Sequence, residues 1–228
     1  MIVPPVGVEY VVLTDVHGVA IGTAPKATVH TAVTPSHRAF SSFLFNAQGE
    51  LLITKRALSK KTWPGVWTNS CCGHPLFDET SAQAAIRRIT YELGMNAPSL
   101  TEILPKFQYY VERTGIVENE FCPVLVGFTD THPKPRYDEV GAYKWFSWSL
   151  YVAIAENLRE HLPGHTPKTA TDYAKYKASF ISPEHYRLAH TLPTGEPLSE
   201  WSLWETLELI KNDTFKDLFT KYIRHGKR

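Results

Sequence analysis

Residues 62–95, TWPGVWTNSCCGHPLFDETSAQAAIRRITYELGM, constrain this chain more than any other stretch. A Trp-Pro-Gly turn, a Cys-Cys-Gly-His loop and an amphipathic helix follow one another without a linker. Ala82, Ala85, Ile86, Ile89 and Leu93 recur at helical spacing and predict one buried face. Asp78, Thr80 or Ser81 can cap the helix start, and Gly94 stands where a left-handed residue ends one. Arg88 and Glu92 are four apart and share a side, which taken alone describes a weak surface ion pair. The loop before the helix adds a thiol, Cys72, and an imidazole, His74, two residues apart. Packing alone gives no reason for that combination.

The remaining sequence reads as a scaffold around this stretch. At 228 residues and 43% hydrophobic it carries enough apolar surface for one large core. A net charge of +1 argues against a nucleic-acid partner. No apolar run approaches the roughly twenty residues of a membrane span. The opening MIVPPVGVEY lacks the features of a secretory signal, and three cysteines, two of them adjacent, make no disulfide framework. A reducing cytoplasm is the expected location. Strands are predicted at residues 9–14, 39–45, 50–56, 106–112, 121–128 and 143–148, with a hairpin turn at 46–49. In the return strand Leu52, Thr54 and Arg56 alternate with Leu51, Ile53 and Lys55. Residues 26–37 read as a loop holding His30 and His37.

Helices are predicted at 149–161, 201–212 and 214–225, and a proline-punctuated stretch, 162–200, with one short helix. The division expected is a core over 1–148, an insertion of unspecified structure over 149–200, and helices over 201–228 packed on the core. Glu118 and Glu120 fall on one side of a strand by its period of two. Such a pair is either an edge-strand solubility device or a metal or acid site. Arg56, Lys60 and Lys61 form either a solvated basic face or a phosphate site.

The loop and helix resemble the Nudix box, G-x5-E-x7-R-E-U-x-E-E-x-G-U with U a bulky apolar residue. Gly73, Glu79, Arg87, Ile89, Glu92, Gly94 and Met95 fall in register, while Arg88 and Tyr91 stand where carboxylates belong. The resemblance implies an α/β (α+β) fold, an α/β/α sandwich with a mixed sheet, here with a helical C-terminal extension. Nudix hydrolases use those carboxylates to hold Mg2+ on a diphosphate, so the two losses argue against hydrolysis.

Longer motifs, KATVHTAVTPSH, HRAFSSFLFN, TKRALSKKTWPGVWTNSCCGHP, RRITYELG and GIVENEFCPV, are similar to type 1 isopentenyl-diphosphate isomerases of bacterial type, a Nudix-like family. That resemblance implies interconversion of isopentenyl and dimethylallyl diphosphates through a tertiary carbocation. It implies Cys72 and Glu120 as the catalytic pair, Tyr109 as a proton-passing neighbour, and Trp201, or Trp204 close by, as an aromatic lid. It implies Zn2+, Mn2+ or Mg2+ at His30, His37, His74, Glu118 and Glu120, with Mg2+ on the substrate diphosphate through Glu92. Lys26, Arg56, Lys60, the backbone at Gly73 and Arg88 are implied diphosphate contacts, and Trp67 a further aromatic wall. The partner implied is a small diphosphate, for a monomer or homodimer without nucleic acid or membrane. A Nudix diphosphohydrolase and a non-catalytic diphosphate- or RNA-binding module are the competing readings.

Overall fold

The structure is a computed structural model that describes residues 8–226. In chain order its strands are β1 (Tyr10–Thr14), β2 (Ala20–Pro25), β3 (His37–Arg38), β4 (Phe40–Phe45), β5 (Glu50–Arg56), β6 (Trp67–Thr68), β7 (Cys71–Gly73), β8 (Leu100–Leu104), β9 (Gln108–Arg113), β10 (Ile116–Phe121), β11 (Val124–Phe128) and β12 (Val140–Ser147). Its helices are α1 (Lys26–Val29), α2 (Ser81–Leu93), α3 (Trp148–Glu156), α4 (Ala170–Ala178), α5 (Pro183–Ala189), α6 (Glu200–Leu209) and α7 (Asp213–Gly226). They form an α/β fold with two mixed sheets. One runs β2-β1-β3-β10-β9; the other runs β12-β5-β4-β11-β8, with β6 on β5 and β7 on β4.

Two parallel chain segments pass from one sheet into the other. β3 pairs with β10 in parallel, setting His37 beside Glu120, and β4 continues in parallel with β11. Pro123 lies at the crossing and has no amide hydrogen to give, so its carbonyl alone joins the ladder, accepting from Ser41. This crossing carries His37, Ser41 and Glu120 into the region between the sheets.

β4 is buried on both faces, so FSSFLF shows no alternation, and its two serines are buried with the aromatics. Phe40, Leu44, Leu52 and Leu125 meet α2 through Ala84, Ala85, Ile89 and Leu93. Their strand neighbours Phe43, Phe45, Leu51, Ile53, Val124 and Val126 face the other way, toward Trp148, Tyr151, Leu203, Trp204 and Phe215. The alternation expected along β5 is therefore between two cores, not between core and solvent.

The buried arc of α2 differs from the one its periodicity predicts. Ile86 is 46% exposed, and Arg88 is buried in its stead. The guanidinium is drawn inward by Glu92 and Glu139. A Thr80–Gln83 capping box starts the helix, and Gly94, at φ 58°, ends it.

Other boundaries shift for local reasons. The loop expected over 26–37 contains α1 and ends in the first residue of β3. The strand expected over 121–128 is divided at Pro123, leaving Phe121 in β10. Strands β2, β6, β7 and β8 are short or lack alternation and went unpredicted. The helix expected over 149–161 stops at Glu156, followed by a 3-10 turn at Arg159–His161, and 162–200 holds two helices, α4 and α5. Tyr173 and Tyr176 of α4, and Phe180 just after it, join the same apolar cluster as the second sheet. No helix among the described residues is long and apolar enough to cross a membrane.

Candidate active site

The histidines converge from three places. His30 follows α1, His37 begins β3 and His74 follows β7; their ring centroids lie 5.1–5.5 Å apart. Glu118 and Glu120 share one side of β10 and complete the group. His30 Nε2 is 3.2 Å from Glu118 Oε2, His37 Nε2 is 3.5 Å from Glu120 Oε1, and His74 Nε2 is 3.3 Å from that same oxygen. The His37 Nδ1–H donates to the Pro35 carbonyl, which leaves the Nε2 lone pair facing the carboxylates.

Nε2 of His30, Nε2 of His37 and Oε2 of Glu118 are all buried without a hydrogen-bond partner. Buried lone pairs aimed at one another are costly unless a cation sits among them. Two subsets, His30–His37–His74 and His37–Glu118–Glu120, have donor atoms within 4.8 Å of one another. The donor set fits a divalent ion bound by three nitrogens and two carboxylates.

Beside this group the Tyr109 hydroxyl donates to Glu120 Oε2 at 2.5 Å. Burial pushes the Tyr109 hydroxyl well above its ordinary value. Burial also acts to raise Glu120, but the neighbouring His37 and His74 imidazoles outweigh it and hold that carboxyl below the usual range. The Tyr109 ring stacks on Trp201 at 5.8 Å, and Trp201 meets Trp63 edge-on at 5.5 Å. All three rings are almost fully buried. Trp63 holds a left-handed backbone, φ 46°, just before Pro64, a strained geometry that turns its indole toward Trp201.

Cys72 lies on β7 opposite Ser41 of β4. Its thiol donates to Asn69 Oδ1 at 3.0 Å and touches Ser41 Oγ at 3.5 Å. Burial, and next the Glu205 charge, push the thiol up to about 12, so it holds its proton at neutral pH. Ser41 also reaches Cys122 Sγ at 3.5 Å, and Cys122 Sγ in turn lies 3.9 Å from Glu205 Oε1. Glu205 is completely buried on α6; burial, together with the nearby Glu120 charge, raises its carboxyl far above the usual range.

The predicted diphosphate contacts divide. Lys26 pairs with Glu9 at 2.8 Å, and Glu9 is held low by Lys26 first and by Arg88 and Lys60 from further off. Lys60 and Arg88 also meet at one carboxylate, Glu139. Gly73 adjoins Arg88: a Cβ there would lie 3.2 Å from Arg88 Cγ and from the Phe40 ring, tighter than ordinary contact. Lys60 pairs with Glu139, and Arg88 bridges Glu139 and Glu92. Arg56 instead spends its guanidinium on the Thr62 carbonyl and hydroxyl, at 2.8–3.0 Å, fixing the loop that carries Trp63.

Trp67, expected as an aromatic wall, meets lysines. Its ring lies under the Lys144 ammonium at 4.4 Å and near Lys55, and the tryptophan that meets Trp201 is Trp63. The cause is β6, whose backbone pairing with β5 sets that indole beside the lysines. Trp204, the other lid aromatic considered, packs on Tyr173 and Tyr176, whereas Trp201 stacks on Tyr109. Sequence reasoning missed Ser41, Trp63, Asn69 and Glu205. Only Glu205 left a signal: a carboxylate inside the apolar run WSLWETLEL.

The NUDIX domain family matches residues 35–167, and the chain belongs to that family. A solved protein of Deinococcus radiodurans shares the fold at TM-score 0.51 and 20% identity, covering 74% of this chain and 98% of its own. Proteins named isopentenyl-diphosphate Delta-isomerase are much nearer in sequence. The one from Clavibacter sepedonicus is 45% identical over 79% of this chain and 92% of its own length. That of Corynebacterium glutamicum strain R is 57% identical over 60% of this chain and 76% of its own, and one from Escherichia coli O127:H6 is 52% identical with the same coverage. Within the Nudix family the chain groups with these isomerases.

Proposed function

We propose that this chain is a metal-dependent isomerase that interconverts isopentenyl and dimethylallyl diphosphates. The observation that carries the reading is a thiol and a tyrosine–carboxylate pair, Cys72 and Tyr109–Glu120, in one water-poor region walled by Trp63 and Trp201. An isolated alkene is a very weak base. One proton must be added at its terminal carbon and another removed from the methylene beyond the resulting tertiary cation. A buried acid–base pair on opposite sides suits that exchange, with Cys72 on one side and Glu120, linked to Tyr109, on the other. Water would trap the cation, so its exclusion is part of the function. The faces of Tyr109, Trp201 and Trp63 stabilise a desolvated cation by roughly 2 kcal/mol or more.

Divalent metal at the three histidines, Glu118 and Glu120, whether Mn2+, Zn2+ or Mg2+, supplies positive charge that fixes the Glu120 carboxylate. Glu92 is the proposed holder of Mg2+ on the substrate diphosphate, with Lys26, Lys60, Arg88 and the Gly73 backbone taking the phosphate oxygens. Arg56 acts by shaping the loop beside them. We read residues 149–200 as an insertion that seats α6, and the protein as a monomer or homodimer without membrane or nucleic-acid partners. Three free cysteines, one of them catalytic, suit a reducing cytoplasm.

The test is incubation of the metal-loaded protein with isopentenyl diphosphate in heavy water. Deuterated dimethylallyl diphosphate should form; Cys72→Ala or removal of the metal by a chelator should stop it. Release of inorganic phosphate without isomerisation would support the hydrolase reading instead.

A further inference from the structure

A line of hydrogen bonds runs from α3 to the thiol. The Tyr151 hydroxyl lies 2.6 Å from Ser202 Oγ, Ser202 Oγ 2.7 Å from Ser199 Oγ, and Ser199 Oγ 2.9 Å from Thr68 Oγ1. Thr68 Oγ1 is 2.7 Å from Asn69 Oδ1, the oxygen that also receives the Cys72 thiol. Tyr151, Thr68, Asn69, Ser199 and Ser202 are all buried, so water does not compete along this line.

The protons can be placed by counting. Asn69 Nδ2 faces the Ser42 and Cys71 carbonyls, at 3.1 and 3.4 Å, which only accept. Oδ1 is therefore the atom that faces Thr68 and Cys72, and both must donate to it. Thr68 has one hydroxyl hydrogen, now spent, so Ser199 donates to Thr68. The Ser202 hydrogen has two acceptors in reach, Ser199 Oγ and the Ser199 carbonyl at 3.0 Å, and with it given to either, Tyr151 donates to Ser202. From Ser199 to Asn69 the line has one polarity, and each bond strengthens the next. Its end at Asn69 fixes where the Cys72 S–H points. Ser199 and Ser202 flank Trp201, so the seating of the lid helix and the aim of the thiol share one set of bonds.

We propose that Tyr151, Ser202, Ser199 and Thr68 are positioning residues that, through Asn69, hold the Cys72 thiol in its reactive orientation. The proposal rests on the reading of Cys72 as catalytic. Its primary readout is therefore independent of turnover: the infrared S–H stretch of Cys72, assigned by its disappearance in Cys72→Ala.

In Thr68→Val the hydroxyl is removed at nearly constant shape, and the band should shift and broaden. Turnover should fall about tenfold, the worth of one buried hydrogen bond, with KM changed less than roughly twofold. Thr68→Ser, which keeps the hydroxyl, should restore both. Tyr151→Phe, at the far end and out of contact with the thiol, should move the band in the same sense by less. An unchanged band in folded Thr68→Val, or a kcat loss that Thr68→Ser fails to rescue, overturns the proposal. So does a shifted band with unaltered kcat. Deuterium incorporation that survives Cys72→Ala sinks the catalytic reading instead, and the infrared result separates the two failures.

Discussion

Replacing Glu205 by Gln should stabilise the protein, and the gain should grow with pH. Glu205 is completely buried beside Ser41 and Cys122, one oxygen has no partner, and no cation among the described residues pairs with it. Burial and then the neighbouring Glu120 charge raise its folded-state pKa well above the 4.5 of the unfolded chain. The folded state thus holds a proton that the unfolded state has released. The stability this proton brings is fully present below pH 4.5 and is lost as pH rises toward the folded-state value. Through that window the loss is about 1.4 kcal/mol per pH unit. Gln has the shape of the neutral acid and nothing to lose, so the variant-minus-parent difference should rise by that slope. Urea denaturation of both proteins in chelator, at intervals from about pH 5.5 to 7.5, reads it directly. Metal at the histidine group offsets the Glu120 charge, so loading it should end the rise at a lower pH. A difference flat in pH, or one that shrinks as pH rises, refutes the assignment of Glu205 as a neutral buried acid.

Two further outcomes test the surroundings of α2. Arg88→Ala takes the guanidinium from the half-buried Glu92 and Glu139 carboxylates, of which Glu139 keeps Lys60, and urea unfolding should show a loss of up to about 3 kcal/mol. Gly94→Ala forces a left-handed backbone on a residue whose Cβ would stand 2.2 Å from the Lys134 carbonyl. A loss of at least about 2 kcal/mol is expected, seen as a melting temperature lower by roughly 4 °C or more.

The parts of the site legible in the sequence were those that motifs hold close together. Cys72, Gly73 and His74 sit on one loop, and Glu118 and Glu120 needed only the strand period to share a side. Bringing those two groups to one place takes the parallel β3–β10 pairing and the crossing at Pro123, which no local pattern announces. The sequence singled out Trp67 as an aromatic wall and passed over Trp63. A left-handed φ at one and β-pairing at the other send their rings to different neighbours. Ser41 and Asn69 were invisible for another reason: short polar residues in apolar or loop stretches read as packing until their partners are known. The buried face of α2 was misplaced by about one residue because periodicity counts apolar side chains. Here a paired arginine takes the inward position.

That arginine also bears on what the Nudix box does in this chain. In a hydrolase the box gathers carboxylates to hold metal against a diphosphate. Here Arg88 occupies one of those positions and binds Glu92 and Glu139. At another, Tyr91 is 44% exposed, with Arg88 and Arg136 over its ring at 5.1 and 4.5 Å. The helix face that would concentrate negative charge is thereby largely neutralised, leaving Glu92 as the box carboxylate with a proposed ion to hold. A single carboxylate suits anchoring a diphosphate through one Mg2+, which needs few protein ligands when phosphate oxygens supply others. Activating water for attack on phosphorus calls for more. The dense set of metal donors lies elsewhere, at His30, His37, His74, Glu118 and Glu120, beside the buried rings. In the proposed reading the principal charge cluster faces the hydrocarbon end of the substrate and not its phosphate end. Such a shift suits a reaction that leaves the diphosphate intact and moves protons on the chain attached to it.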